Sequence, residues 1–366
     1  MVTNEDDKAR VANIFDVARL AGVSHQTVSR VLNDLPNVRP ATRERVEKAI
    51  KQLRYTPSQA ARALVTRRSR TIGLITTGGP DFGPSSTALH FNDAARDARY
   101  AVSMASMLDS DPASLRAAVE LLLRQNVEAI VLIAAHAGAL EAILSIELGV
   151  PFIAVDAGGR PGVHSVALDQ YAGARAAVDH LVGLGHREIR HISGPLDSTD
   201  ATERLRGWRD SLAAAGLPAR EHLVGDWTPA SGYRHGLALA ADRDMTAVFV
   251  GNDQMSLGLI HALSSAGLSV PADVSVIGFD DIPEAEHFAP PLTTIRQDFD
   301  GLGRDIMTEL LAVLRDEDAA DLPRILPSLV VRESAGPPRG RAADPIDSDT
   351  TPETASAPAA ARQPLG

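Results

Sequence analysis

From Thr71 onward the chain alternates short apolar runs with amphipathic helical stretches, and that alternation closes off most folds. Thr71–Thr77, Tyr100–Met107, Glu128–Ala134, Pro151–Val155, Arg190–Ser193, Ala247–Val250 and Val274–Phe279 read as strands. Pro112–Gln125, Tyr171–Leu184, Glu203–Ala215, Gly232–Ala241 and Asp253–Ala266 read as helices between them. Apolar strands separated by helices give parallel sheets covered on both faces. Roughly 260 residues are too many for one such sheet, so residues 71–334 are expected to form two similar α/β lobes with a cleft between them. No apolar run approaches the ~20 residues that span a bilayer.

The first 70 residues are of another kind. They carry 14 Lys and Arg against 7 acids, whereas the remaining 296 residues sum to −18, within a net charge of −11. A small basic head on a large acidic body fits a chain whose head alone touches phosphates, although a solvated basic helical face gives the same count. Ile14, Val17, Ala18 and Ala21 recur at i, i+3, i+4 and i+7, one helical face. Gly22 suits a left-handed turn, and Ser24 suits the N-cap of a second helix, Ser24–Leu32, with Val23, Val28, Val31 and Leu32 inward. A third helix, Thr42–Leu53, closes the core through Val46, Ala49, Ile50 and Leu53. Two helices joined by a short glycine turn make a helix-turn-helix, whose second helix enters the major groove. Its outward residues are His25, Gln26, Ser29 and Arg30, able to address adenine through Gln and guanine through Arg or His. A three-helix module that binds protein would share the same core.

IFDVARLAGVSHQTVSRVLND and RYTPSQAARALVTRRSRTIGLI resemble, without a gap, the DNA-binding head and hinge of the lactose-repressor family of bacterial transcription regulators. The resemblance implies an all-α helix-turn-helix domain at 10–56 and a hinge helix with its linker at 57–70. It places His25, Gln26 and Arg30 at base-reading positions, and Ser24, Thr27, Asn33, Asn37 and Thr42 at phosphate contacts. Within the hinge helix, Ser58–Leu64, it makes Leu64 an apolar wedge that each subunit of a dimer pushes into the minor groove, where such wedges kink DNA. His25 stands where the family often has tyrosine, so the operator sequence does not carry over.

No GxSxG, HExxH, GxGxxG or P-loop occurs in the chain, which argues against an enzyme. With no cysteine, thiolate metal sites, iron–sulfur clusters and disulfides are excluded, and no cofactor or metal is expected. TTGGPDFGP after the first strand lacks the Lys-Ser/Thr of a phosphate loop and reads as a plain βα loop. Polar residues do close the strands: Asp156 in FIAVD, Asn252 and Asp253 in AVFVGND, Asp280 and Asp281 in VSVIGFDD. Open α/β sheets bind ligands at these strand ends. Together with Arg204 and Trp227 they suit a hydroxyl-rich ligand, since carboxylates and amides bond hydroxyls and an indole covers the apolar face of a sugar ring. Asp156 or Asp280 alone fits a helix N-cap equally well.

The same family's body is a two-lobed periplasmic-binding-protein fold, and GNDQMSLGLIHAL with VSVIGFDDIPEAEHFAPPLTTIRQDFDGLG is similar to its second half. By that resemblance Asp156, Arg204, Asn252, Asp280 and Gln297 fall on sugar-contacting positions, and Trp227 in GDWTPASGY on a sugar-stacking one. Ala135 falls where a polar residue is expected, and Ser85 with Ser86 are candidates for the first lobe's edge of the cleft.

The expected protein is a cytoplasmic repressor with no membrane segment, binding double-stranded operator DNA as a homodimer. A small sugar, foremost a galactoside inducer, controls it from between the lobes. A nucleobase corepressor is the alternative among regulators. A transport binding protein would share the fold but lead with a secretory signal, and MVTNEDDKARVANIF has acids in place of an apolar core. Residues 335–366, with 8 Ala, 6 Pro and no aromatic residue, read as a disordered tail without the leucine heptads of a tetramerising helix.

Overall fold

The computed structural model describes residues 12–32, 35–55, 68–79, 81–108, 111–134, 136–156, 162–317 and 322–339. Asn33, Ala135, Leu64 with the expected hinge helix, and residues 340–366 lie outside the described residues.

The head holds three helices, α1 (Ile14–Ala21), α2 (His25–Leu32) and α3 (Pro40–Leu53). Asn13 caps α1 in a capping box with Asp16, and Gly22 ends it at φ 64°, the left-handed conformation expected of that glycine. The Thr27 N–H donates to Ser24 Oγ at 3.2 Å, capping α2. Val17, Val28 and Val46 are fully buried and gather Ala18, Ala21, Val31 and Ala49 into one core. α3 begins two residues before Thr42, because Pro40 carries the preset φ of a first helical residue.

The described residues divide into two compact units, those within 12–79, 84–166 and 299–323 in one, those within 81–83, 167–298 and 324–339 in the other. The first contains a five-stranded sheet of β1 (Thr71–Thr77), β2 (Ala101–Met107), β3 (Ile130–Ile133), β4 (Phe152–Val155) and β5 (His164–Val166), in the order β2-β1-β3-β4-β5. All its neighbours pair in parallel. Between β1 and β2 runs α4 (Phe82–Asp97), whose first turn takes in the last three residues of TTGGPDFGP, the stretch expected as a βα loop. Pro84 stands in its first turn, where a missing N–H breaks no helical bond. α5 (Pro112–Arg124) and α6 (Ala137–Leu144) follow β2 and β3.

The second unit runs α7 (Gln170–Gly183), β6 (Ile189–Ser193), α8 (Thr199–Ala214), β7 (Leu223–Val224), α9 (Pro229–Leu239), β8 (Ala247–Val250), α10 (Asp253–Ser265) and β9 (Ser275–Ile277). Its sheet order is β7-β6-β8-β9, all parallel. Along β8, Ala247 and Phe249 enter a core with Leu205, Trp208 and Phe279, while Val248 and Val250 enter another with Met255, Leu259 and Val276. A strand that alternates between two buried faces reads as an unbroken apolar run. Strand order turns between β6 and β8, and open α/β sheets bind ligands beyond the C-terminal ends of the strands at such a point. β10 (Thr294–Arg296) pairs antiparallel with β11 (Ser328–Val330), and α11 (Phe299–Leu314) belongs to the first unit.

The described residues continue past the boundary expected at 335. Ser334 accepts from the Val276 N–H and its hydroxyl donates to the Val276 carbonyl, so the segment covers the edge of β9. The Gly336 N–H donates to Ser275 Oγ at 3.0 Å, its carbonyl lies 2.8 Å from His186 Nε2, and Arg339 pairs with Asp273. The tail reading is corrected for 335–339, because these backbone groups find buried partners that composition could not reveal. No helix among the described residues is long and apolar enough to cross a membrane.

Candidate functional site

Two sites emerge, one on the head and one in the second unit. On the head, α2 buries Val28 and Val31 and leaves His25, Gln26 and Arg30 exposed, with Ser29 half-buried. The His25 ring sits 5.2 Å from Phe15 of α1, so α1 buttresses the first residue of the outward face. The Ser24 and Thr27 hydroxyls are 3.0 Å apart at the start of α2. Asn37 is exposed, Thr42 is half-buried, and Arg43 donates to the Leu35 carbonyl at 3.2 Å, steadying the α2–α3 connection. The arrangement presents four polar side chains of suitable length to a groove.

In the second unit the strand ends converge on Arg204 of α8, which is 4% exposed. Its Nε donates to Gln170 Oε1 at 2.9 Å, one terminal nitrogen to the Gly251 carbonyl, and the other to Asp280 Oδ1 at 3.5 Å. Below the guanidinium lies the Phe279 ring, 3.8 Å from its carbon to the centroid, and Trp227 is at 5.5 Å. Gln297 Nε2 donates to Asp280 Oδ1 at 2.7 Å, and Gln170 Nε2 donates to Gln297 Oε1 at 2.8 Å. Burial pushes the Asp280 carboxyl up to about 7, against the pull of the Arg204 guanidinium.

Several neighbours fix this geometry. Asp280 and Asp281 adopt φ of 110° and 54°, an arrangement of non-glycine residues that surrounding bonds must hold. Asp281 is clamped by Arg296 at 2.6 Å and Arg332 at 2.7 Å. Asp253, fully buried, accepts from the Thr294 hydroxyl at 2.6 Å and the Ile282 N–H at 2.9 Å, which pins the loop after Asp281. Burial, with Asp280 nearby, raises its carboxyl well above the usual carboxylate range. Trp227 has φ 68°, and its ring covers Gly194 so closely that a Cβ there would lie 2.1 Å from ring carbons.

The structure therefore brings together Arg204, Asp280, Gln297, Trp227 and Asn252 in one unit. Asn252 turns out to cap α10, its Oδ1 accepting from the Met255 N–H, while its Nδ2 donates to the Trp227 carbonyl at 3.0 Å. It tethers the tryptophan and keeps one amide hydrogen for a ligand. Asp280 caps no helix, so the N-cap alternative fails for it. Asp156, beyond the end of β4, belongs to the first unit, as does Ser85. Ser85 lines a cavity of about 660 Å³ with Thr76, Leu89, Met104 and Leu108, on the side of β1 that carries β2. Sequence reading missed Gln170. A glutamine after LD carries no local signal, because its partners lie 34 and 127 residues away. Among the described residues no group of His, Cys, Asp or Glu could hold a metal ion.

Residues 13–58 match the family model for bacterial regulatory proteins of the lacI family, and residues 178–335 that for a periplasmic binding protein-like domain. The lactose operon repressor of Escherichia coli (strain K12) is 35% identical over 338 residues, spanning 91% of this chain and 93% of that protein. The HTH-type transcriptional repressor PurR of Actinobacillus pleuropneumoniae serotype 3 (strain JL03) is 32% identical over 333 residues, 88% of this chain and 98% of its own. Among solved structures, the Lac repressor dimer bound to operator and the anti-inducer ONPF superposes with a TM-score of 0.79 at 32% identity, covering 89% of this chain and 100% of that one. The complex of the transcriptional regulator CelR with cellobiose gives 0.65 at 32% identity, covering 88% and 100%.

Proposed function

Because the chain belongs to the lacI family of bacterial regulatory proteins, we propose that it is a homodimeric repressor that a sugar, of the galactoside class, releases from operator DNA in the cytoplasm. Its relatives are transcriptional regulators and not enzymes. The observation that carries the sugar reading is the buried Arg204–Gln297–Asp280 cluster with the Trp227 indole beside it. A forked donor next to a carboxylate bonds neighbouring hydroxyls, and an indole suits the apolar face of a ring. The likeness to a lactose operon repressor and to a cellobiose-bound regulator supports a sugar, and the first of the two a galactoside. The PurR relative makes a purine corepressor the rival. Asp156 and Ser85 stay candidates for effector contacts from the first unit's residues.

The head reading has a direct measurement. On an operator selected from random duplexes, Arg30→Ala should cost roughly 1–3 kcal/mol and change affinity for unrelated DNA little. Equal weakening on both would make Arg30 a phosphate contact and undo the assignment of α2. On that same operator complex, lactose should release the wild-type protein. Tightening by a purine, with no response to sugars, would replace the sugar reading by corepression.

For the dimer, β2 is an edge strand whose Met104 is 52% exposed, next to Leu108 at 76% and Leu89 of α4 at 59%. An exposed apolar face on an edge strand is a place for a second copy, and a two-fold protein reads a palindromic operator. A chain ending at Arg339 should remain a dimer by light scattering, and Leu108→Asp in that chain should run as a monomer. A dimer untouched by Leu108→Asp would move the interface elsewhere, and a full-length tetramer reduced by the truncation would give residues 340–366 an assembly role.

A further inference from the structure

Arg204, Gln170, Gln297 and Asp280 form a closed chain of hydrogen bonds in which each member is nearly or fully buried, between 3% and 6% exposed. Its direction is fixed by chemistry at one end. A guanidinium only donates, so Gln170 must turn its Oε1 to Arg204, where it lies 2.9 Å from Nε. The Gln170 amide nitrogen is then the atom left to face Gln297, and it donates to Oε1 at 2.8 Å. That forces Gln297 to present Nε2 to Asp280, at 2.7 Å from Oδ1. The chain thus arrives at Asp280 as a donor, and a donor bonds an ionised carboxylate more strongly than the carbonyl oxygen of a protonated one. To bond a protonated Asp280 as acceptor, Gln297 would have to reverse its amide and set NH2 against the NH2 of Gln170. Buried polar networks resist such half-satisfied states.

We propose that Gln170 is a positioning residue of the effector site, which fixes the direction of the Arg204→Gln170→Gln297→Asp280 chain and so holds Asp280 as an acceptor for an effector hydroxyl. The effector part of this rests on the sugar reading above; the directional part does not. Asp280 Oδ1 already takes both Gln297 and Arg204, which leaves Oδ2 to meet the ligand. The charged groups around Asp280 pull in opposite directions. Arg204 of α8 favours the carboxylate, while Asp200 of the same helix, Asp81 and Asp253 of α10 oppose it. Asp281 follows it in the chain, engaged by Arg296 of β10 and Arg332. Burial outweighs the rest and places the carboxyl at about 7, where a change of one bond partner is readable. Gln297 is one of the partners that keep it from rising further.

The test follows the Asp280 carboxyl carbon by NMR through a pH titration of the effector-free full chain, in wild type, Q170L and Q170M. Both variants fill the glutamine's space without its amide, and near-ultraviolet circular dichroism establishes that they fold; should Q170L not fold, Q170M carries the measurement. With Gln170 gone, Gln297 is free to reverse, protonated Asp280 gains an acceptor, and the titration midpoint should rise by about one pH unit. An unchanged midpoint in a folded variant overturns the proposal. Lactose affinity gives the second readout. Q170L should weaken it about tenfold at pH 6, where fewer carboxylates are ionised, and hardly at all at pH 9. Equal weakening at both pH values would reduce Gln170 to packing and also overturn the proposal. If the wild-type chain binds no lactose, the sugar reading fails, and the carboxyl titration still decides the role of Gln170.

Discussion

Arg204→Ala should cost the second unit about 3 kcal/mol in urea unfolding. Removing one partner of a buried ion pair commonly costs about 3–5 kcal/mol, because the other charge is left without compensation. Here Asp280 has a partial escape. Its carboxyl already stands at about 7, so at neutral pH it can take up a proton when the guanidinium is gone, which holds the loss near the lower end. The Gln170 Oε1 and the Gly251 carbonyl lose donors at the same time, and the Phe279 ring loses the cation above it. Arg204→Lys separates stability from response. The ammonium restores a charge opposite Asp280 but cannot bond Gln170, Gly251 and Asp280 together from a planar fork. That variant should fold, bind operator like the wild type, and fail to leave it when lactose is added. A lysine variant that responds to lactose normally would show that the fork geometry has no part in the response.

How much of this was legible beforehand depends on the distance over which each feature is written. The turn between α1 and α2 is local: Gly22 must reach φ 64°, Ser24 must cap, and both requirements sit within three residues. The long strands were legible because a strand buried on both faces is apolar without interruption, as AVFV in β8 is. β5, β7, β10 and β11 have only two or three residues each, too few for any period to show. The loop expected over TTGGPDFGP runs three residues too far, because Phe82, Gly83 and Pro84 already form the first turn of α4, where a proline is harmless. In the candidate site, Asp280 and Asn252 stood out as polar residues closing apolar strands. Their division of labour did not: only the structure shows Asn252 tied to Trp227 and Asp280 tied to Gln297. Gln170 was invisible for the same reason, since a buried glutamine is explained by partners brought to it by the fold.

The second large effect concerns acid. His191 on β6 is 1% exposed, its ring stacked 4.8 Å from Phe249 and 5.4 Å from Trp208, with Nδ1 donating to the Phe249 carbonyl at 2.9 Å. Its Nε2 is buried with no hydrogen-bond partner, so a proton arriving there finds no acceptor. Burial pushes the imidazole from 6.5 down to about 3, the bond to Phe249 opposing and the charges of His222, Arg204 and Arg209 assisting. Between those two values the unfolded chain binds a proton that the folded chain refuses. The stability that His191 contributes is therefore present above 6.5 and is lost as pH falls towards 3, at about 1.4 kcal/mol per pH unit. Asp280 acts with the opposite sign. Its folded value of about 7 lies above the ordinary 3.8, so its contribution is full below 3.8 and is lost as pH rises through 7. From pH 6.5 to 4 the two offset each other, with His186, lowered by burial, adding to the side of His191 and Asp253 to the side of Asp280. Substitution should expose each slope. Between pH 7.5 and 4.5, His191→Gln should gain about 2–3 kcal/mol of urea-unfolding stability relative to wild type, and Asp280→Asn should lose a similar amount relative to it. Parallel pH profiles for the three proteins would mean that neither group changes its proton affinity on folding, and that the buried ring and carboxyl are reached by water in the native state.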